Sequence, residues 1–262
     1  MNRLWTALVV LAAIAVTLAA GYVITHQTPV PEAGQALGYS PAPIETNSTV
    51  LSPTPSHSRA APTTRVSVAF LGDDYTTGAG ATAPPARFST LLSTALHLTE
   101  LNFGGAGSGY SVAGTTGNYL ARLDEVVAAK PDVVVVSGGR NDVDSNAAAV
   151  ATNVRTLFSG LHRRLPTAVL VAVAPFWGDS PPRTALAPIA AAVRTAVTAA
   201  GGSYLAIGDP LLGHPEWMAN LADPNNAGHI AIEAALEAPL RDLVSTARAP
   251  GGEASSSSTS SH

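Results

Sequence analysis

Between residues 65 and 248 two spacings of apolar residues take turns along the chain. Five short runs, Arg65 to Leu71, Thr99 to Phe103, Asp132 to Val136, Ala168 to Ala174 and Ser203 to Ile207, have the length of buried strands, and most are rich in Val, Ile, Leu or Phe. Between them the period changes to that of a helix. Phe88, Leu91, Leu92, Ala95 and Leu96 share one helical face, as do Tyr119, Leu120, Leu123, Val126 and Val127. Val150, Val154, Leu157, Phe158, Leu161 and Leu165 form a third face, and Leu186, Ile189, Val193 and Val197 a sparser fourth. A last helix is predicted from about Asn226 through Ile232 and Leu236, with Pro239 interrupting it because proline lacks the N–H and crowds the preceding turn. Strands alternating with helices predict an α/β protein, a three-layer α/β/α sandwich around a parallel five-stranded sheet.

The pattern stops at both ends. Leu4 to Ile24 carry no charge and are almost wholly apolar, long enough to cross a bilayer. Arg3 precedes this run and no Lys or Arg follows until Arg59, a bias that leaves the amino terminus in the cytoplasm and exports the rest. Residues 1–25 therefore read as a transmembrane signal-anchor or a signal peptide. Ala19-Ala20-Gly21 would suit a peptidase, whereas Tyr22-Val23-Ile24 extends the run past that point and favours the anchor. The expected location is the cell membrane, single-pass with the domain outside, or secreted if the segment is cleaved. Residues 26–64, with seven prolines among Ser, Thr and Ala, read as a tether, and 249–262 as a Ser-rich disordered tail.

Composition narrows the chemistry. With no Cys there is no disulfide framework and no thiol nucleophile. A net charge of −4 and a single Lys, Lys130, argue against a nucleic-acid partner. The seven His are scattered without ligand spacing, so no metal site and no cofactor is expected, and any metal would fall to carboxylates. Abundant Ala and the use of Arg over Lys suggest a bacterial source.

Four loops stand where a parallel sheet places its ligand crevice, beyond the carboxyl ends of strands or ahead of the last helix. They are Gly72-Asp73-Asp74-Tyr75-Thr76-Thr77-Gly78; Asn102-Phe103-Gly104-Gly105-Ala106-Gly107-Ser108-Gly109; Ser137-Gly138-Gly139-Arg140-Asn141-Asp142; and Asn220-Leu221-Ala222-Asp223-Pro224-Asn225-Asn226-Ala227-Gly228-His229. In this order they resemble the four blocks of the SGNH (GDSL-type) hydrolases, over about residues 65 to 245. The resemblance implies a flavodoxin-like sheet and an esterase-type cleft. It makes Gly107 and Asn141 the oxyanion-hole donors, Asp73 and Asp142 loop-fixing residues, and His229 a packing residue of the last helix.

The departures concern the catalytic triad. Where the family has Ser, Asp and His, this chain has Asp74, Asn220 and Asp223. Ser108 and Ser137 lie close in sequence but not on a nucleophile-type turn, and His214 is a remote substitute base. If Asp74 and Asp223 meet, either one keeps a proton or a cation bridges them, with Arg140 a candidate. The implied function is a membrane-anchored extracytoplasmic pseudoenzyme binding an acylated or glycan component of the cell envelope. Two alternatives stand beside it: an active esterase or acyl hydrolase with a rearranged site, and a carboxylate-pair hydrolase acting on glycans through Asp74 and Asp223.

Overall fold

The computed structural model describes residues 65–248. The expected anchor, tether and tail, residues 1–64 and 249–262, lie outside the described residues. Among the described residues no helix is long and apolar enough to cross a membrane.

Five parallel strands, β1 (Ser67–Gly72), β2 (Thr99–Gly104), β3 (Val133–Ser137), β4 (Val169–Val173) and β5 (Ser203–Leu205), form one sheet in the order β2-β1-β3-β4-β5. Register sets Val68 beside Val133 and Glu100, and brings Gly72 level with both Gly104 and Ser137. The order reverses at β1, so the crevice of this fold opens where β1 and β3 end.

Among the described residues six α-helices flank the sheet: α1 (Asp74–Thr77), α2 (Phe88–Ala95), α3 (Leu123–Ala129), α4 (Ala147–Arg164), α5 (Leu186–Ala199) and α6 (Asn226–Arg248). Alternate residues of each central strand feed two cores. Ala69, Leu71, Val134 and Val136 pack with Val154, Phe158 and Val193 of α4 and α5. Val68, Phe70, Val133 and Val135 pack with Leu92, Ile232, Leu236 and Leu240 of α2 and α6. The three-layer sandwich read from the alternating periods is the observed architecture.

The elements differ from expectation in four places. The helix expected to begin at Tyr119 opens with a tight 3₁₀ turn, Tyr119–Arg122, and becomes α-helical only at Leu123. Strand β5 ends at Leu205 rather than Ile207. The one-turn helix α1, too short for a periodic signal, follows β1 directly. Pro239 does not interrupt α6, which runs to Arg248. Leu236, Leu240 and Val244, on either side of the proline, are buried in the core, and that burial outweighs the missing hydrogen bond.

Candidate functional site

The crevice is built from loops that the strands aim at one point. At the end of β1 the chain must turn at once into α1. Any side chain at Gly72 would strike Thr76 Oγ1 at 2.1 Å and the Ser137 carbonyl at 2.5 Å, so that position requires glycine. Asp73 caps α1, its Oδ1 accepting the Tyr75 N–H at 3.1 Å. Asp74, first residue of α1, projects into the crevice. From the loop after β2, Gly107 adopts a left-handed φ of +70° and donates its N–H to Asp74 Oδ1 at 2.9 Å. From the turn after β3, Asn141 Nδ2 donates to Asp74 Oδ2 at 3.1 Å and to the Ser108 carbonyl at 2.9 Å. The pair expected to cradle an oxyanion thus converges on the carboxylate of the residue at the serine position.

Arg140 completes the cluster. Its Nη2 stands 3.3 Å from Asp74 Oδ2 and 3.5 Å from Asp223 Oδ1, and its Nε stands 3.6 Å from Asp73 Oδ2. The guanidinium lies over the Tyr75 ring, 4.1 Å from its centroid. Arg140 Nη1 and the Tyr75 hydroxyl both donate to the Ala222 carbonyl at 3.1 Å, tying the Asn220–Asp223 loop over the site. Asp74 and Asp223 therefore do meet, through a cation supplied by the chain. Within the loop Asn220 is a turn residue: its Oδ1 accepts the N–H groups of Ala222 and Asp223, and its Nδ2 donates to Asp223 Oδ2.

Burial distributes the electrostatic strain unevenly. The Asp73 side chain is only 2% exposed, against 19% for Asp74 and 22% for Asp223. Burial pushes the Asp73 carboxyl up to about 6; Arg140 opposes the rise and Asp74 adds to it. The Tyr75 phenol is likewise pushed up to about 12 by burial. For Arg140 burial works against the charged form, but Asp73, Tyr75, Asp74 and Asp223 outweigh it and hold the guanidinium above its ordinary value. Asp74 accepts from the Gly107 N–H, Arg140 Nη2 and Asn141 Nδ2 together.

The remaining sequence candidates are structural in their contacts. Asp142 fixes the loop after β2 by accepting the N–H groups of Tyr110, Ser111 and Val112 at 2.7, 2.8 and 3.1 Å. His229 is fully buried; Nδ1 accepts the Phe88 N–H at 3.3 Å, and Nε2 reaches the Ala79 carbonyl at 3.1 Å. Burial lowers its pKa, so it stands as a neutral imidazole with the proton on Nε2. His214 stacks on Trp217 with 3.6 Å between centroids and pairs with Glu216 at 2.9 Å. Ser108 is buried, donating to the Gly105 carbonyl at 2.6 Å. Ser137 is buried at the end of β3, its carbonyl accepting from the Tyr119 hydroxyl.

One residue that sequence reasoning passed over is Arg122. Its guanidinium is buried and donates to the carbonyls of Gly72 and Phe103 and to Ser108 Oγ, joining the ends of β1 and β2 to the loop that carries Gly107. The signal available was a lone Arg beside the apolar face that holds Tyr119 and Leu123, a pattern that a solvated side chain gives equally well.

Comparison with known proteins bears on the family and the fold. The model of the GDSL-like lipase/acylhydrolase family matches residues 70–231. A GDSL lipase of Mycobacterium tuberculosis is 31% identical over 179 residues, spanning 62% of this chain and 76% of that protein. Among solved structures, the lipase/acylhydrolase from Enterococcus faecalis superposes with a TM-score of 0.53 at 19% identity, covering 68% of this chain and 96% of that one. A family two carbohydrate esterase from Clostridium thermocellum, in complex with cellohexaose, gives 0.56 at 17% identity, covering 71% and 67%. These structural likenesses establish the fold. With the family model spanning most of the described residues and the M. tuberculosis relative beside it, the chain belongs to the GDSL-like lipase/acylhydrolase family of SGNH hydrolases.

Proposed function

We propose that this chain is a pseudoenzyme of its family, a membrane-anchored extracytoplasmic domain whose cleft binds an acylated or glycan component of the cell envelope without hydrolysing it. The observation that carries the reading is the Asp74 carboxylate, which already accepts from Gly107 N–H and Asn141 Nδ2. Ester hydrolysis by a serine mechanism needs a hydroxyl nucleophile, a base within reach and vacant oxyanion donors. Here the nucleophile position holds an anion, the base position holds Asp223 bonded to Asn220 and facing Arg140, and the donors are taken. An oxyanion developing in this cleft would displace a carboxylate tied to the same chain.

The ligand class rests on the relatives. The M. tuberculosis relative is a lipase, and the C. thermocellum esterase was solved with cellohexaose, so acyl and glycan ligands are the two classes to try. The location rests on the apolar run Leu4 to Ile24.

The test is turnover of a short-chain aryl ester by the full chain beside an Asp74→Ala variant. The expected result is no rate above buffer in either protein, with a thermal shift on adding oligosaccharides or lipids. Turnover that disappears in the variant would replace the binding reading by a new mechanism centred on Asp74.

A further inference from the structure

The cleft occupies the carboxyl edge of the sheet and is rich in carboxylates; the amino edge has the opposite character. Arg65 lies two residues before β1, Lys130 closes α3 ahead of β3, and Arg163 and Arg164 end α4 ahead of β4. Three shallow grooves open along this edge and the adjoining α4–α5 seam. One is lined by Arg65, His97 and Glu100; the second, about 630 Å³, by Lys130, Asp132 and Arg164; the third, about 670 Å³, by Arg155, His162 and Arg163 over a floor of Ala196 and Ala200.

The two carboxylates in these linings are hydrogen-bonded within the domain, Glu100 half-buried and Asp132 exposed. Glu100 accepts from Ser89, Thr90 and Arg87, and Asp132 accepts from the Ser67 N–H and hydroxyl at 2.8 and 2.7 Å. Helices α4 and α5 contain no acidic residue. Arg164 pairs with Asp124, whereas Arg65, Lys130, Arg155 and Arg163 are exposed and face no carboxylate in any ion pair among the described residues. In a chain of net charge −4 this local excess of cations is a departure from the whole. Ala247, in the last turn of α6, lines the same groove as Lys130.

We propose that this basic edge docks on an anionic lipid surface, turning the acidic cleft away from it. Exposed Arg and Lys groups attract phosphate headgroups without needing a shaped pocket, and each one close to such a surface adds on the order of a fivefold preference. A cleft facing the surface would instead oppose carboxylates to phosphates. The docking needs only folded residues, so it stands or falls separately from the anchor reading of residues 1–25.

The experiment uses the full chain with lipid nanodiscs, neutral in one set and about one-third anionic lipid in the other. Retention on neutral discs reads the anchor; amide exchange reads the edge. The expected result is slower exchange over residues 127–132 and 160–167 on anionic discs alone, weakening as salt rises. A Lys130→Gln, Arg155→Gln, Arg163→Gln variant should lose the slowing while keeping its melting temperature and its exchange over residues 72–78. Equal exchange on the two kinds of disc, or slowing that survives in the variant, overturns the proposal. Slowing by dissolved polyphosphate but not by anionic discs would also overturn it, in favour of a soluble polyanion.

Discussion

Replacing Arg140 by Met tests the electrostatics of the cleft most directly. Methionine keeps much of the apolar stem and removes the guanidinium that pairs with Asp73, Asp74 and Asp223. All four side chains are mostly shielded from water, Arg140 itself being 13% exposed. Removing one partner of such a cluster costs about 3–5 kcal/mol, because it leaves carboxylates buried without compensation. Part of that cost depends on pH. The Asp73 carboxyl is raised from 3.8 to about 6 in the folded protein. A carboxyl raised on folding contributes stability that is complete below its unfolded pKa and is lost as pH rises through the folded one. In the native protein that loss is about 3 kcal/mol between pH 4 and 7, at 1.36 kcal/mol per unit. Without Arg140 the opposing influence disappears, Asp73 rises further, and the loss continues to higher pH. Urea unfolding at pH 7.5 and 4.5 should therefore show a deficit of roughly 3–4 kcal/mol at the higher pH and about half that at the lower. Adding Asp73→Asn to Arg140→Met should recover part of the deficit at pH 7.5. A deficit below about 1 kcal/mol, the value of a surface ion pair, or one equal at both pH values, would refute the reasoning.

Pro239→Ala should stabilise the chain by about 1–3 kcal/mol in urea unfolding, because the helix already continues through this position and would regain a hydrogen bond. Asp142→Ala, which strands three N–H groups, should cost about 3 kcal/mol or more and loosen residues 110–112 in hydrogen exchange. His229 is depressed below its ordinary 6.5 by burial, so its contribution to stability is present above that value and lost as pH falls through the folded pKa. His229→Gln should flatten the acid limb of the stability profile, and an unchanged limb would place the dependence elsewhere. Asp74→Ser should show no ester turnover in the aryl-ester assay, since Asp223 and Arg140 supply no imidazole.

The sheet and its flanking helices were legible in the sequence from length and period: Val133 to Val136 is a short β-branched run that fits a buried strand, and the face from Val150 to Leu161 repeats for three turns. Gly72, Gly107 and Asn141 were legible because they recur at strand ends in family order. The joining of these parts was less so. Arg140 reaches Asp74 and Ala222 across separations of 66 and 82 residues, and no local pattern encodes such contacts. The sequence reading left open whether a proton or a cation reconciles Asp74 with Asp223. The raised pKa falls instead on Asp73, which a motif comparison treats as a turn residue and which only its depth in the fold distinguishes. Arg122 was invisible for the same reason, since burial rather than spacing sets its role. At Pro239 the local rule was correct in kind, but tertiary packing around Leu236 and Leu240 overrode it.

The salt-bridged cleft also constrains how the sequence can change. Asp74 and Asp223 share Arg140, so a substitution at any one of the three changes what the other two face. Serine at 74 alone leaves Arg140 with two carboxylates and no attacking base. Histidine at 223 alone, when protonated, sets a second cation against Arg140. If the cleft only binds, as proposed, a route to a hydroxyl facing an imidazole would need positions 74 and 223 changed together. The shared guanidinium thus couples positions 74 and 223, so that what either one tolerates depends on the other.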